Sequence, residues 1–254
     1  MRPFLLLASR AEDAAADEEY RSLLRHGGLH PDELVRVRLE AGSVADLDPA
    51  DYAGVIIGGS PFTVSDRHKS SVQRRVEADL GVIVDEILRR DLPMLALCYG
   101  VGIVGARTGG VVDATYGEET SAAEIRLTPE GAVDPLLAGL PAGFQAYVGH
   151  KEAVTVLPPR ATVLATSPTC PVQMYRLGRH GYVTQFHPEM DLASVITRIE
   201  VYRDSGYFDA AEMAAVIDRV TRADVSAAHH LVRAFVLRYR GAAVQRVDAE
   251  LLAG

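Results

Sequence analysis

Only two cysteines occur in the 254 residues, Cys98 and Cys170. Two thiols cannot build a disulfide framework, so a small stapled secreted fold is excluded. Positive charge is in deficit, with a formal net charge of −8. That balance gives no electrostatic support to nucleic-acid binding. No apolar stretch approaches the length of a membrane span. The opening run Phe4-Leu5-Leu6-Leu7-Ala8 is cut off by Arg10-Ala11-Glu12-Asp13, too soon for a signal peptide. A G-x-x-x-x-G-K-S/T phosphate loop is missing. The histidines show no metal-ligand spacing, and the adjacent pair His229-His230 would face different sides of a helix. Internal repeats, low-complexity segments and domain linkers are also lacking. What remains is a chain that reads as cytoplasmic and is long enough to bury a sizeable core, with no metal or cofactor expected.

One stretch stands out in what is present. Pro93-Met94-Leu95-Ala96-Leu97 reads as a buried strand, followed at once by Cys98-Tyr99-Gly100-Val101-Gly102 and the helical start Ile103-Val104-Gly105-Ala106-Arg107. Strand, tight turn and helix make a nucleophile elbow, which projects one side chain from the carboxyl end of a sheet strand. That side chain is the thiol of Cys98. Gly100 and Gly102 lack a Cβ and leave room around it. A base is available in Gln185-Phe186-His187-Pro188-Glu189, after the strand-like run Tyr182–Phe186. In extended chain, i and i+2 share a side, so His187 and Glu189 project together. The carboxylate can then orient the imidazole that activates the thiol.

Two plainer readings compete. Cys98 is an ordinary buried cysteine in the first. In the second, Gly100-Val101-Gly102-Ile103-Val104-Gly105 is a dinucleotide fingerprint. That fingerprint normally opens the first βαβ unit, whereas here it follows the fourth strand, and it leaves His187-Pro188-Glu189 unexplained.

Together with Val55-Ile56-Ile57-Gly58-Gly59-Ser60-Pro61, Gly149-His150-Lys151-Glu152-Ala153-Val154 and Leu157-Pro158, these motifs stand in an order and spacing similar to the class I glutamine amidotransferases, particularly the amidotransferase domain of GMP synthase. The resemblance implies a Cys98–His187–Glu189 triad. It also implies an oxyanion hole from the N–H groups of Gly59 and Tyr99, and substrate contacts from Gly58, Ser60, Gly100, Gly102 and His150. Implied with these is glutamine hydrolysis to glutamate and ammonia through a γ-glutamyl thioester, with a possible separate synthetase as ammonia acceptor. The family usually has Gln where this chain has Gly102. That change implies poor glutamine turnover, improved by Gly102→Gln if the helix accepts it. It also keeps two alternatives open: a γ-glutamyl peptide or amine hydrolase, and a catalytically silent binding protein.

The expected fold is a flavodoxin-like, doubly wound, mainly parallel sheet over residues 1–200, with a helical extension over 201–254. Strands are expected at Phe4–Ala8, Leu34–Leu39, Gly54–Ile57 and Pro93–Leu97, and helices at Asp17–His26 and Ser70–Arg90. Short strands at Ala123–Leu127, Gln145–Val148, Ala153–Val156, Val163–Thr166 and Val172–Leu177 should add antiparallel to one side. In the extension, Asp209 should open a helix over Ala210–Val220. Asp224 should cap another, with Val225, Ala228, Val232, Phe235, Val236 and Tyr239 on one face.

Overall fold

In the computed structural model, which describes residues 2–44 and 47–241, the first apolar run forms β1 (Phe4–Ala8), buried along its whole length. Helix α1 (Asp13–Gly27) follows and stops at Gly28, whose φ of 59° suits glycine. It starts four residues before the expected Asp17, because Ala15 and Ala16 bury with the core. The parallel set continues with β2 (Leu34–Arg38), β3 (Val55–Ile57), α2 (Ser71–Arg89), β4 (Met94–Leu97) and α3 (Tyr99–Arg107). Ser70 caps α2 through the N–H of Gln73, at 3.0 Å.

The chain then becomes strand-rich: β5 (Val111–Asp113), β6 (Glu118–Leu127), a single turn α4 (Pro129–Ala132), β7 (Gly143–His150), β8 (Ala153–Val156), β9 (Thr162–Thr166), β10 (Met174–Leu177) and β11 (Gly181–Thr184). Nine strands form one sheet in the order β2-β1-β3-β4-β11-β10-β9-β6-β7. From β2 to β11 neighbours run parallel; from β11 outward they run antiparallel. This is the expected parallel sheet with an antiparallel side. One expected member is elsewhere: β8 leaves the main sheet and pairs with the unforeseen β5 in a two-stranded ribbon.

Side-chain alternation sorts the strand residues onto two faces. Phe4, Leu6, Ile56 and Leu95 pack toward α1 and the last helix, while Leu5, Leu7, Val55, Ile57 and Ala96 pack toward α2 and α3. Among the described residues the last α-helices are α5 (Leu192–Val201), α6 (Met213–Thr221) and α7 (His229–Tyr239). Asp209 caps a short 3-10 turn (Ala210–Glu212) that leads into α6, so the α-helix starts three residues later than expected. Asp224 accepts from Ser226 N at 3.0 Å, opening a turn five residues ahead of α7. No described helix is long and apolar enough to cross a membrane.

All six apolar residues expected on the last helical face are buried. Phe235 is fully enclosed, its ring 6.0 Å from that of Phe4 and 5.0 Å from that of Tyr239. Phe235→Ala should therefore cost about 3–5 kcal/mol, a cavity in the shared core. A urea denaturation midpoint equal to that of the parent would show that α7 is a detachable appendage.

Candidate active site

Parallel strands deliver their carboxyl ends to one edge of the sheet. There β1 leads to Arg10, β3 to Gly58-Gly59-Ser60, β4 to Cys98 and β11 to His187. Cys98 has φ 47° and ψ −86°. A side chain with a Cβ rarely adopts that backbone, which costs of order 1–3 kcal/mol. Cys98 N–H donates to Thr184 O at the end of β11, at 2.7 Å, and α3 begins at the next residue. The half-buried sulfur lies 4.0 Å from Gly149 O.

Strand β11 ends at Thr184, earlier than the pattern over Tyr182–Phe186 suggests. His187 N–H donates to Tyr147 O at 2.9 Å, a single bridge to β7, and the chain then turns. His187 and Glu189 thus meet through a turn rather than through a strand's pleat. Nδ1 of His187 stands 2.7 Å from Oε1 of the fully buried Glu189. Burial alone would raise the pKa of Glu189. The His187 ring and the Arg198 guanidinium outweigh it and hold the carboxyl at about 2. Burial would lower the pKa of His187. Attraction to Glu189 and to Cys98 outweighs this and lifts it to about 9. An ionised carboxylate only accepts hydrogen bonds, so Nδ1 carries the proton between them and Nε2 is left for the other side of the ring.

Cys98 and His187 share one pocket with Arg10, Ser60, Thr120, Gly149 and Arg198. Val148, Met190 and Val195 add apolar lining, and Tyr202, Tyr207 and Phe208 complete it. Tyr207 is held in place. Tyr207 Oη donates to Ser60 O at 3.3 Å, and Thr120 N–H donates to Tyr207 O at 3.1 Å. Cys170 is elsewhere and fully enclosed; burial pushes its thiol up to about 12.

Several expected contacts are placed differently. Gly59 N–H donates to Glu19 Oε1 at 3.1 Å and is not free for an oxyanion. Ser60 N–H, next in the chain, and Tyr99 N–H, at the first position of α3, have no intramolecular acceptor among the described residues. Gly58 makes room for Glu19: a Cβ there would lie 2.5 Å from Glu19 Oε2. At Gly100 a Cβ would lie 2.6 Å from Ala96 Cβ, so this glycine lets α3 press on β4. Gly105 abuts Val154 and Val112, so the glycines of the dinucleotide-like motif pack against protein. His150 is buried, with Nδ1 3.0 Å from Glu152 O and Nε2 2.7 Å from Glu118 Oε2. Both ring nitrogens are committed, and His150 does not line the pocket.

Gly102 faces Glu152 instead of the pocket. A Cβ there would stand 2.5 Å from Glu152 Oε1 and 2.8 Å from Val64 Cγ2. Glu152 cannot step aside cheaply, because its two oxygens accept from Val64 N and Ser65 N, each at 2.7 Å.

Sequence reasoning missed Arg10, Glu19, Arg198, Tyr202, Tyr207 and Phe208. Arg10 alone carried a usable signal: a charged residue just past the carboxyl end of the first parallel strand. Among the described residues, no cluster of three or more His, Cys, Asp or Glu could hold a metal ion.

Comparison with known proteins bears on this site. A family model described as glutamine amidotransferase class-I matches residues 19–197. The chain is 31% identical over 168 residues to the glutamine-hydrolyzing GMP synthase of Limosilactobacillus reuteri (strain DSM 20016), covering 66% of this chain and 29% of that protein. It is 29% identical over 180 residues to the same enzyme of Thermosipho africanus (strain TCF52B), covering 66% of this chain and 32% of that protein. The chain therefore spans about a third of the length of these curated relatives. A solved glutamine amidotransferase of Thermotoga maritima superposes with a TM-score of 0.76 at 17% identity, over 95% of this chain and all of that one. Another, from Methylobacillus flagellatus, gives 0.72 at 15% identity, over 94% of each. At such identities the likeness shows the fold, and it extends beyond the span matched by the family model.

Proposed function

Because this chain belongs to the class-I glutamine amidotransferase family, we propose that its pocket hydrolyses the side-chain amide of glutamine, with Cys98 as nucleophile, His187 as proton carrier and Glu189 as its orienting partner. One observation carries the reading: a strained cysteine opens into a pocket beside a buried imidazole held by a carboxylate. The sulfur attacks the carboxamide carbon. The tetrahedral oxyanion meets the N–H groups of Tyr99 and Ser60, the latter replacing the expected Gly59. His187 protonates the departing ammonia. Water then enters, His187 takes its proton, and the γ-glutamyl thioester collapses to glutamate and free thiol. Glu189 keeps the imidazole in one tautomer and stabilises its charge throughout. A separate synthetase is the proposed consumer of the ammonia.

A second reading, a γ-glutamyl peptide or amine as substrate, is favoured by Gly102, since no amide projects from that position. The test is to supply glutamine and a panel of γ-glutamyl amides and to measure glutamate. Release from glutamine supports the first reading and release from γ-glutamyl amides alone the second. No release from any of them refutes both.

Gly102→Gln is expected to bring no gain. Its side chain must displace Glu152 and Val64, an overpacking that typically costs about 1–3 kcal/mol. Thermal unfolding should show the loss, and KM for glutamine should not fall. A stable variant with a lower KM would show that the helix accepts the amide after all.

A further inference from the structure

The Cys98 pocket holds two arginines, Arg10 and Arg198, that the proposed chemistry leaves unused. Both are more than nine-tenths buried, at 4% and 7% exposure. Arg10 Nε donates to Glu19 Oε1 at 3.2 Å, and Arg198 Nη2 donates to the same oxygen at 3.3 Å. That oxygen also accepts from Gly59 N. Glu19 thus anchors both guanidinium groups through one crowded atom. Each guanidinium has five N–H donors. Arg198 Nε has no hydrogen-bond partner among the described residues, while its Nη2 stands 4.0 Å from Glu189 Oε1; Arg10 also interacts with Tyr202, whose ring lies 5.4 Å from its Cζ, and with Tyr207. Arg10 also sits beside the chemistry: a Cβ at Gly59 would collide with Arg10 Nη2 and lie 3.0 Å from His187 Cε1.

Buried donors without acceptors are costly and uncommon. A guanidinium is also the side chain whose fork matches a carboxylate. Glu152 meanwhile occupies the space beside Gly102. We infer that Arg10 and Arg198 form a carboxylate subsite in the Cys98 pocket, which holds the α-carboxylate of a γ-glutamyl substrate while its amide faces the sulfur. The inference rests on the proposed reading of Cys98 as nucleophile. It restricts the substrate class to amides bearing a free carboxylate.

Two measurements test it. The first compares alkylation of Cys98 by iodoacetate and by iodoacetamide, which differ in a carboxylate against a neutral amide. Relative to the same ratio for a small free thiol, the anionic reagent should be favoured roughly 10- to 100-fold, and Arg10→Gln should erase most of that preference. This readout needs no hydrolytic activity, and because the His187 imidazolium also attracts an anion, the subsite is read from the loss in the variant, with Arg198→Gln as the second variant should Arg10→Gln not fold. The second compares kcat/KM for glutamine and for its α-amide. The parent should prefer glutamine by a similar factor, expressed in KM, and Arg10→Gln should bring the two substrates close together. A free-thiol ratio in the parent, or an undiminished preference in Arg10→Gln, overturns the subsite. An iodoacetate preference that Arg10→Gln erases, without glutamine hydrolysis, keeps the subsite and removes glutamine as the substrate.

Discussion

Cys98→Ser should lower glutamate release from glutamine by roughly 10⁴-fold or more while the protein stays folded. The substitution is nearly isosteric, and serine at φ 47° is no more strained than cysteine. What it removes is a sulfur nucleophile beside a cation. An imidazole lifted to about 9 by Glu189 and Cys98 supplies that cation at neutral pH. A hydroxyl in the same place remains protonated, and His187, already charged, is then a poor base for it. The measurement is steady-state glutaminase kinetics, paired with a urea denaturation curve to show that folding is unchanged. An electrophilic glutamine analogue gives an independent readout. It should label Cys98 and spare Cys170, which is fully enclosed and whose thiol is pushed to about 12. An active serine variant, or equal labelling of the two cysteines, would remove Cys98 from the mechanism.

How far the site could be read from the sequence depended on distance along the chain. Cys98 was legible because the apolar strand before it and the glycines after it are its immediate neighbours. His187 and Glu189 were legible as a pair for the same reason, although a turn and not a strand brings them together. Arg198 and Glu19 are 179 residues apart and meet only after α1 and α5 have packed. No local pattern marks either of them. The commitment of Gly59 N–H to Glu19 follows from that same packing, so no motif around Gly59 could show it. The parallel half of the sheet was legible because its strands are short, mostly apolar and set apart by turns and helices. The partner of β8 was not. Alternation in Ala153–Val156 marks a strand but does not choose between a place in the large sheet and pairing with β5. Gly102 shows the limit from the other side. Its identity in the sequence suggested a missing contact, but only the fold reveals that Glu152 fills the space.

Glu189→Gln should reduce turnover by roughly 10³- to 10⁴-fold, because an amide can hold the imidazole in the wrong tautomer and cannot stabilise its charge. It should also change how stability depends on pH. In the folded parent His187 titrates near 9 against an ordinary 6.5, so its contribution is complete below 6.5 and is lost as pH rises through 9. Glu189 titrates near 2 against an ordinary 4.5, so its contribution is complete above 4.5 and is lost as pH falls toward 2. The two windows overlap between 4.5 and 6.5, where the parent's advantage over Glu189→Gln should be greatest. Without the carboxylate, burial dominates His187 and should carry its titration below that of the parent. Arg198, which lies 4.0 Å from Glu189 Oε1, loses a nearby anion as well. Urea denaturation of both proteins near pH 6 and above pH 9 measures the gap, and the NMR titration of His187 measures its cause. The gap should shrink at the higher pH as the parent's imidazolium deprotonates. A gap of equal size at both pH values, or a His187 titration that does not move, would show that Glu189 fills space beside the ring without pairing with its charge.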